Sequence, residues 1–187
     1  MKVSQQITGV NQRLGNTAVP QMQGTTRMIF DTVKVTGTAT DQTITYFAGV
    51  GSRIYPETNL SNNRFEVGES LAIQGFSLLT YTTANPTLAT ELSSNASLRA
   101  GILNFYIGNQ RVLKDLEIVS YSRFSIGESI SQTVENAVFR LETPIVIPPQ
   151  IEFYATLRFG SIVDPSGLSF VLSAFGTGTL LNTKSNF

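Results

Sequence analysis

Apolar and polar residues alternate most regularly over residues 151–159. Ile151, Phe153, Ala155, Leu157 and Phe159 occupy one side of a two-residue period, and Glu152, Tyr154, Thr156 and Arg158 the other. That pattern predicts a strand with one face in a core and the other wet or in contact. Residues 168–175 repeat it, with Leu168, Phe170, Leu172 and Ala174 opposite Ser169, Val171, Ser173 and Phe175. Residues 71–81 alternate through Leu71, Ile73, Ser77, Leu79 and Tyr81, with Phe76 and Leu78 on the other face and Gly75 read as a bulge. Shorter strands are expected at 29–36, 42–47, 102–107, 110–121 with a break near Lys114 and Asp115, and 138–142. The chain thus carries roughly eight strands, spaced as in a sandwich or barrel rather than in βαβ units. Gly108-Asn109, between two apolar runs, is a two-residue hairpin signal, because both residues tolerate positive φ.

Three polar connections, 56–69, 82–100 and 122–136, are too long for hairpins. The second carries Asn85-Pro86 ahead of Leu88 and Leu92, the signature of a short capped helix, and the third places Ile126, Ile130 and Val134 at helical spacing. Loops of this length are where contacts with other molecules are expected. Long crossovers between antiparallel strands favour a Greek-key arrangement such as a jelly roll over an up-and-down barrel. Residues 1–28 fit neither period and read as an extended N-terminal arm, with residues 29–187 forming a single domain. The arm holds Lys2, Arg13 and Arg27, and no acid precedes Asp31. These three cations are the candidate partner-contacting residues.

Composition narrows the chemistry. Only 14% of the 187 residues are charged, and 22 Thr and 18 Ser supply the polarity instead, which favours β-structure over long helices or a charged disordered chain. With no Cys there is no disulfide, thiolate nucleophile or Cys-bound metal, and with no His the commonest general base and metal ligand are missing. No cofactor is expected. Balanced charge, 13 basic against 13 acidic residues, gives no electrostatic ground for strong binding to nucleic acid or anionic membranes. No run approaches a membrane-spanning helix, and the opening Met-Lys-Val-Ser-Gln-Gln shows no secretory signal. No nucleophile elbow, Ser-x-x-Lys pair or phosphate loop occurs, and Gly49-Val50-Gly51 and Gly176-Thr177-Gly178 read as turns. Paired carboxylates are the only route to catalysis, with Glu66, Glu69 and Glu152 as candidates that read more simply as solvated side chains. The chain is therefore expected not to be an enzyme. The sequons at Asn59 and Asn95 read as chance. A carbohydrate-binding or receptor-binding sandwich is the rival reading. Without Trp, its sugar platform would have to be Tyr46, Tyr55, Tyr81, Tyr106, Tyr121 or Tyr154.

The stretch Leu-Glu-Thr-Pro-Ile-Val-Ile-Pro-Pro-Gln-Ile-Glu-Phe-Tyr-Ala-Thr-Leu-Arg-Phe, residues 141–159, resembles the late strands of single jelly-roll coat proteins of tailless icosahedral viruses and phages. In these, a short apolar run, a Pro-rich corner and an alternating strand precede a last strand, here 168–175. Upstream, Thr58-Asn59-Leu60 followed by Phe65-Glu66-Val67-Gly68-Glu69-Ser70-Leu71-Ala72-Ile73 is similar to their linker into an early strand. The resemblance spans most of 58–175. It implies an all-β antiparallel sandwich, a jelly roll of two four-stranded sheets with an extended arm. It further implies a capsid subunit of a virion, made in the host cytoplasm, that self-assembles through loops and arm into an icosahedral homo-oligomer. The implied partners are copies of itself and, beyond those, other virion proteins or an internal membrane. The strongly basic arm of genome-binding coat proteins is absent, so direct genome binding is not expected, nor is a small-molecule substrate.

Overall fold

The alternating run at 151–159 is the opening of a much longer strand. In the computed structural model, which describes residues 22–82, 100–122 and 138–181, the chain forms six strands: β1 (Met22–Tyr46), β2 (Ser70–Thr82), β3 (Ala100–Ile107), β4 (Gln110–Ser122), β5 (Phe139–Ile147) and β6 (Phe153–Leu181). The separate strands expected at 29–36 and 42–47 are one strand, β1, and those at 151–159 and 168–175 are one strand, β6. Each is continuous because it pairs with the other, antiparallel from Met22↔Leu181 to Tyr46↔Ala155. The expected eight strands therefore appear as eight strand segments on six strands.

The β1–β6 ribbon belongs to two sheets. Its first stretch of β1 and last stretch of β6 extend through β6–β2 and β2–β5 pairing into one antiparallel sheet, ordered β1-β6-β2-β5. Its other end extends through β6–β3 and β3–β4 pairing into a second, ordered β1-β6-β3-β4. The crossing lies where the register slips between Val35 and Gly37, opposite residues 165–167 of β6. Pro165 has no N–H to offer a ladder, and a slip is where a strand tolerates it. Three residues of β2 and β4, Leu78–Thr80 against Ser120–Ser122, run parallel and close the two sheets on their other side. Antiparallel pairs nest inward, β1–β6 around β2–β5 around β3–β4, as in a ribbon folded at the Gly108-Asn109 tip. This two-sheet order is consistent with a jelly roll. Gly108 has φ +56°, as its place in the predicted hairpin requires, and its N–H donates to the Glu152 carbonyl at 2.7 Å, continuing the β3–β6 pairing.

Between the sheets lies a core dominated by aromatic rings. Phe47, Phe76, Phe105 and Phe153 are fully buried, and the Phe105 ring lies 5.7 Å from Phe76 and 6.2 Å from Phe153. Phe153, Ala155, Leu157 and Phe159 all face inward, as the period predicts, and so do Phe170, Leu172 and Ala174. In β2 the reading needs correction. Leu71 and Ile73 are buried, but beyond Gly75 the buried residues are Phe76 and Leu78, while Ser77 and Leu79 are only half-buried. Gly75 marks a register slip against both β5 and β6, and one extra residue moves the core from odd to even positions. A Cβ at Gly75 would meet the Phe139 carbonyl and the Phe175 ring, each at 2.5 Å, so the bulge has room for glycine alone. The break expected near Lys114 and Asp115 is also a bulge. Asp115 has φ +51°, and its N–H donates to Asn104 Oδ1 at 2.9 Å.

The arm expected over residues 1–28 needs correction in its last seven residues. Residues 22–28 are the start of β1, paired with residues 175–181, a partner some 150 residues away that no local period reveals. Residues 1–21 and the helices expected near Asn85-Pro86 and over 126–134 lie outside the described residues.

Phe153→Ala and Leu157→Ala should each destabilise the fold by about 3 kcal/mol in chemical denaturation, because each empties a fully buried site. Glu152→Ala and Arg158→Ala, on the exposed face, should leave the midpoint nearly unchanged. The reverse ranking would overturn the assignment of faces.

Candidate interaction surface

The connection from β1 to β2, residues 47–69, lacks a strand or long helix, yet it is held at nearly every turn. Val50, Leu60 and Phe65 enter the core. Residues 57–59 run beside β1: Thr32 N–H donates to the Glu57 carbonyl at 2.8 Å, and the Thr58 hydroxyl donates to the Phe30 carbonyl at 2.9 Å. The Asn59 side chain accepts from Phe30 N–H at 2.9 Å and donates to the Met28 carbonyl at 2.7 Å. Further along, the Phe65 carbonyl accepts from Gln150 N–H at 3.0 Å and the Asn63 carbonyl from Phe153 N–H at 2.9 Å. These bonds fasten the loop to the Pro-rich corner, where Pro148 and Pro149 are buried.

At the centre of this loop is Asp31, a fully buried carboxylate on β1. It accepts the Phe47 N–H at 2.6 Å, and the Arg53 guanidinium lies 2.8 Å from its other oxygen. Phe47 sits at φ +65°, in the left-handed region that an aromatic residue rarely adopts, and the bond to Asp31 helps hold it there. Arg53 is itself aimed by the carbonyls of Thr32 and Ala48, at 3.1 and 2.9 Å. Burial raises the Asp31 carboxyl above its ordinary 3.8, outweighing the opposing pull of the Phe47 N–H and the Arg53 charge. Burial also lifts the Tyr46 hydroxyl well above its usual range, and the Asp31 charge adds to the shift.

So anchored, the loop turns large apolar side chains outward. Ile54 is 80% exposed, Tyr55 78% and Val67 68%. Of the three long loops expected to make contacts, 56–69 is this one, and most of 82–100 and of 122–136 lies outside the described residues.

The three arm cations fare differently. Lys2 and Arg13 lie outside the described residues. Arg27 is on β1, not on an arm: it bonds Glu69 at 3.0 Å and covers the Phe65 ring at 4.5 Å. It is a structural clasp between β1 and the end of the loop. Glu69 is thereby engaged, while Glu66 and Glu152 are exposed. Among the tyrosines, Tyr46 is buried in the core and Tyr55 projects on the loop. Tyr106 and Tyr154 stack on each other, 4.5 Å apart and within 5° of parallel, on the outer face of the second sheet. Near the other end of β3 on that sheet, Asp41, Gly101, Ile102, Asp115, Glu117, Arg158 and Phe159 line an open cleft of ≈ 500 Å³. The Arg158 guanidinium grips Asp41 with both prongs, at 2.6 and 2.8 Å, and holds that carboxyl below its ordinary value. Both partners are largely exposed, so this pair orients side chains more than it stabilises the fold.

Among the described residues no group of three or more acidic side chains could hold a metal, and no helix is long and apolar enough to cross a membrane. No protein-family model matches the chain, and no curated protein matches it significantly.

The Asp31 shift has a definite sign. The folded chain takes up this proton at higher pH than the unfolded chain, so the group's contribution to stability falls as pH rises from 3.8 through the raised folded value. Denaturation of wild type and Asp31→Asn across this range should show wild type losing stability relative to the variant as pH rises. A pH-independent difference would refute it. At neutral pH, Arg53→Met should cost about 3 kcal/mol by leaving a buried charge unpaired.

Proposed function

We propose that this chain is a virion structural protein, a capsid subunit that assembles with copies of itself into an icosahedral shell. The observation that carries this reading is the β1–β2 loop: a segment fastened to the sandwich by main-chain and buried ionic bonds, yet presenting Ile54, Tyr55 and Val67 to solvent. A monomer gains nothing by fixing large apolar side chains in water, whereas a subunit gains roughly 1.5 to 3 kcal/mol for each one buried against a neighbour. Closed symmetry multiplies such modest contacts into a stable shell. Low charge suits this use, because identical surfaces meet without strong repulsion. The two-sheet sandwich agrees with the resemblance of residues 58–175 to jelly-roll coat proteins. Other virion proteins or an internal membrane are further partners, and a phage is the natural setting.

A second reading is supported by the Tyr106–Tyr154 stack. Paired rings on an outer sheet face are a platform on which a sugar ring can lie, as in a carbohydrate-binding or receptor-binding module. Glycan binding abolished by Tyr154→Ala with folding intact would favour it.

Light scattering coupled to size exclusion, with negative-stain microscopy of the same fractions, tests the first reading. Wild type should form discrete rings or shells, and Ile54→Asp with Tyr55→Asp should shift them toward monomer without changing the thermal midpoint. Wild type that stays monomeric at high concentration, with no particles in any fraction, would overturn it.

A further inference from the structure

The free strand edges of this sandwich are not treated alike. The outer edge of β4 is broken by the Asp115 bulge and carries exposed Arg111, Lys114, Asp115 and Glu117. The outer edge of β5 contains Pro144 just after exposed Arg140, Glu142 and Thr143, and its pairing with β2 slips over this stretch. The second-sheet edge of β1 is kinked at Asp41, an exposed acid with φ +50°. Over residues 28–32 the first-sheet edge of β1 is covered by Arg53 and residues 57–59. Charges, proline, bulges and covering loops are the devices by which proteins block unwanted strand addition. Among the described residues, the β1 edge from Met22 to Thr26 has none of them.

The direction of its hydrogen-bonding groups can be read from the covered stretch beside it. The groups taken by the loop are Thr32 N–H and C=O, Phe30 N–H and C=O, and Met28 C=O, all on even-numbered residues. Register with β6 runs unbroken from Met22 to Val35, so the same parity holds at Thr26 and Gly24. Both residues are exposed, and Thr25 between them is exposed as well. Among the described residues, the Thr26 carbonyl receives only its neighbour's hydroxyl, Thr25 Oγ1, at 3.4 Å.

We propose that this edge is a self-association site, and that its occupant is the same edge of a second copy, added antiparallel about a two-fold axis at Thr25. In that register Gly24 of one copy faces Thr26 of the other, and each pair exchanges both N–H···O=C bonds. Charge favours a copy over an unrelated strand of either sign. Residues 22–26 are neutral, and the one cation, Arg27, is already neutralised by Glu69 and falls opposite neutral Gln23. In this register Met28, whose carbonyl Asn59 takes, falls opposite Met22, so the joined edges pair over residues 23–27 and end where the loop begins. Two sheets then fuse into one continuous sheet across the dimer, an isologous contact that a shell can use at its two-fold positions. This inference rests on the self-assembly reading above and specifies one contact within it.

The absence of native cysteine makes the register directly testable. About the proposed axis Thr25 faces itself in a non-hydrogen-bonded pair, where Cα atoms lie roughly 4.5 Å apart and a disulfide forms readily. Under mild oxidation of the full chain, Thr25→Cys should become a covalent dimer about tenfold faster than Thr26→Cys, whose copies are offset, or Val112→Cys on the charged β4 edge. Thr26→Pro deletes an outward N–H that β6 does not use, and should weaken association in sedimentation velocity while the thermal midpoint holds. Equal cross-linking at all three positions, or association with no cross-link at Thr25→Cys, would overturn the edge while leaving the subunit reading intact. A wild type that is monomeric in sedimentation and gives no particles would overturn both.

Discussion

Asp31 joins parts of the molecule that the chain keeps apart. It stands on the stretch of β1 that belongs to the first sheet, and the N–H it binds is that of Phe47, just beyond the stretch that belongs to the second. One carboxylate therefore ties the two layers of the sandwich from within. It also steadies Phe47 in a left-handed conformation that delivers its ring to Phe105 and Phe153 at 6.4 and 5.9 Å. Through Arg53 it fixes the start of the loop that carries Ile54 and Tyr55. Desolvating the charge is unfavourable, as the raised carboxyl shows, so this contact is kept for position rather than for stability.

The long ribbon imposes a second constraint. Because β1 and β6 are shared by both sheets, the ribbon has to turn from one layer to the other without losing its ladder. It does so at a register slip placed opposite Pro165, and β2 accommodates the neighbouring curvature at Gly75. At Gly176 on β6, a Cβ would overlap the Ala72 carbonyl of β2, so the strands can approach only because that residue has no side chain. Bulges and glycines here are the means by which flat pairing becomes a wrapped sandwich.

Local chemistry explains what could be read from sequence. Phe153, Ala155 and Leu157 declared their face because a two-residue period is a property of one strand, and Gly108-Asn109 declared its turn because positive φ is a property of one residue. Gly75 was legible as a bulge, but its consequence, the transfer of the core to Phe76 and Leu78, depends on partners in β5 and β6. Likewise the merging of strands into β1 and β6, and the strand character of residues 22–28, arise from pairing across the whole chain. The candidate site divides in the same way. The long loop at 56–69 was visible as a place for contacts, whereas Arg27 read as a free cation because neither Glu69 nor Phe65 is near it in sequence. Asp31 carried no signal, since a lone acid in a strand looks solvated until the loop closes over it.

The contrast among the strand edges links these constraints to the proposed assembly. A sandwich of nested antiparallel pairs necessarily ends in edge strands, and each edge is an invitation to further pairing. In this chain β4 and β5 decline it with charge, bulge and proline, and the loop anchored by Asp31 covers β1 only as far as Met28. The same loop thus does two things: it hides part of an edge and displays apolar side chains beyond it. Among the described residues, one stretch of β1 is covered and the next is bare, which is hard to account for as protection of a monomer, since residues 22–26 are neutral and regular. It is the arrangement expected if β1 is shielded where the subunit must stay closed and left open where it meets its neighbour.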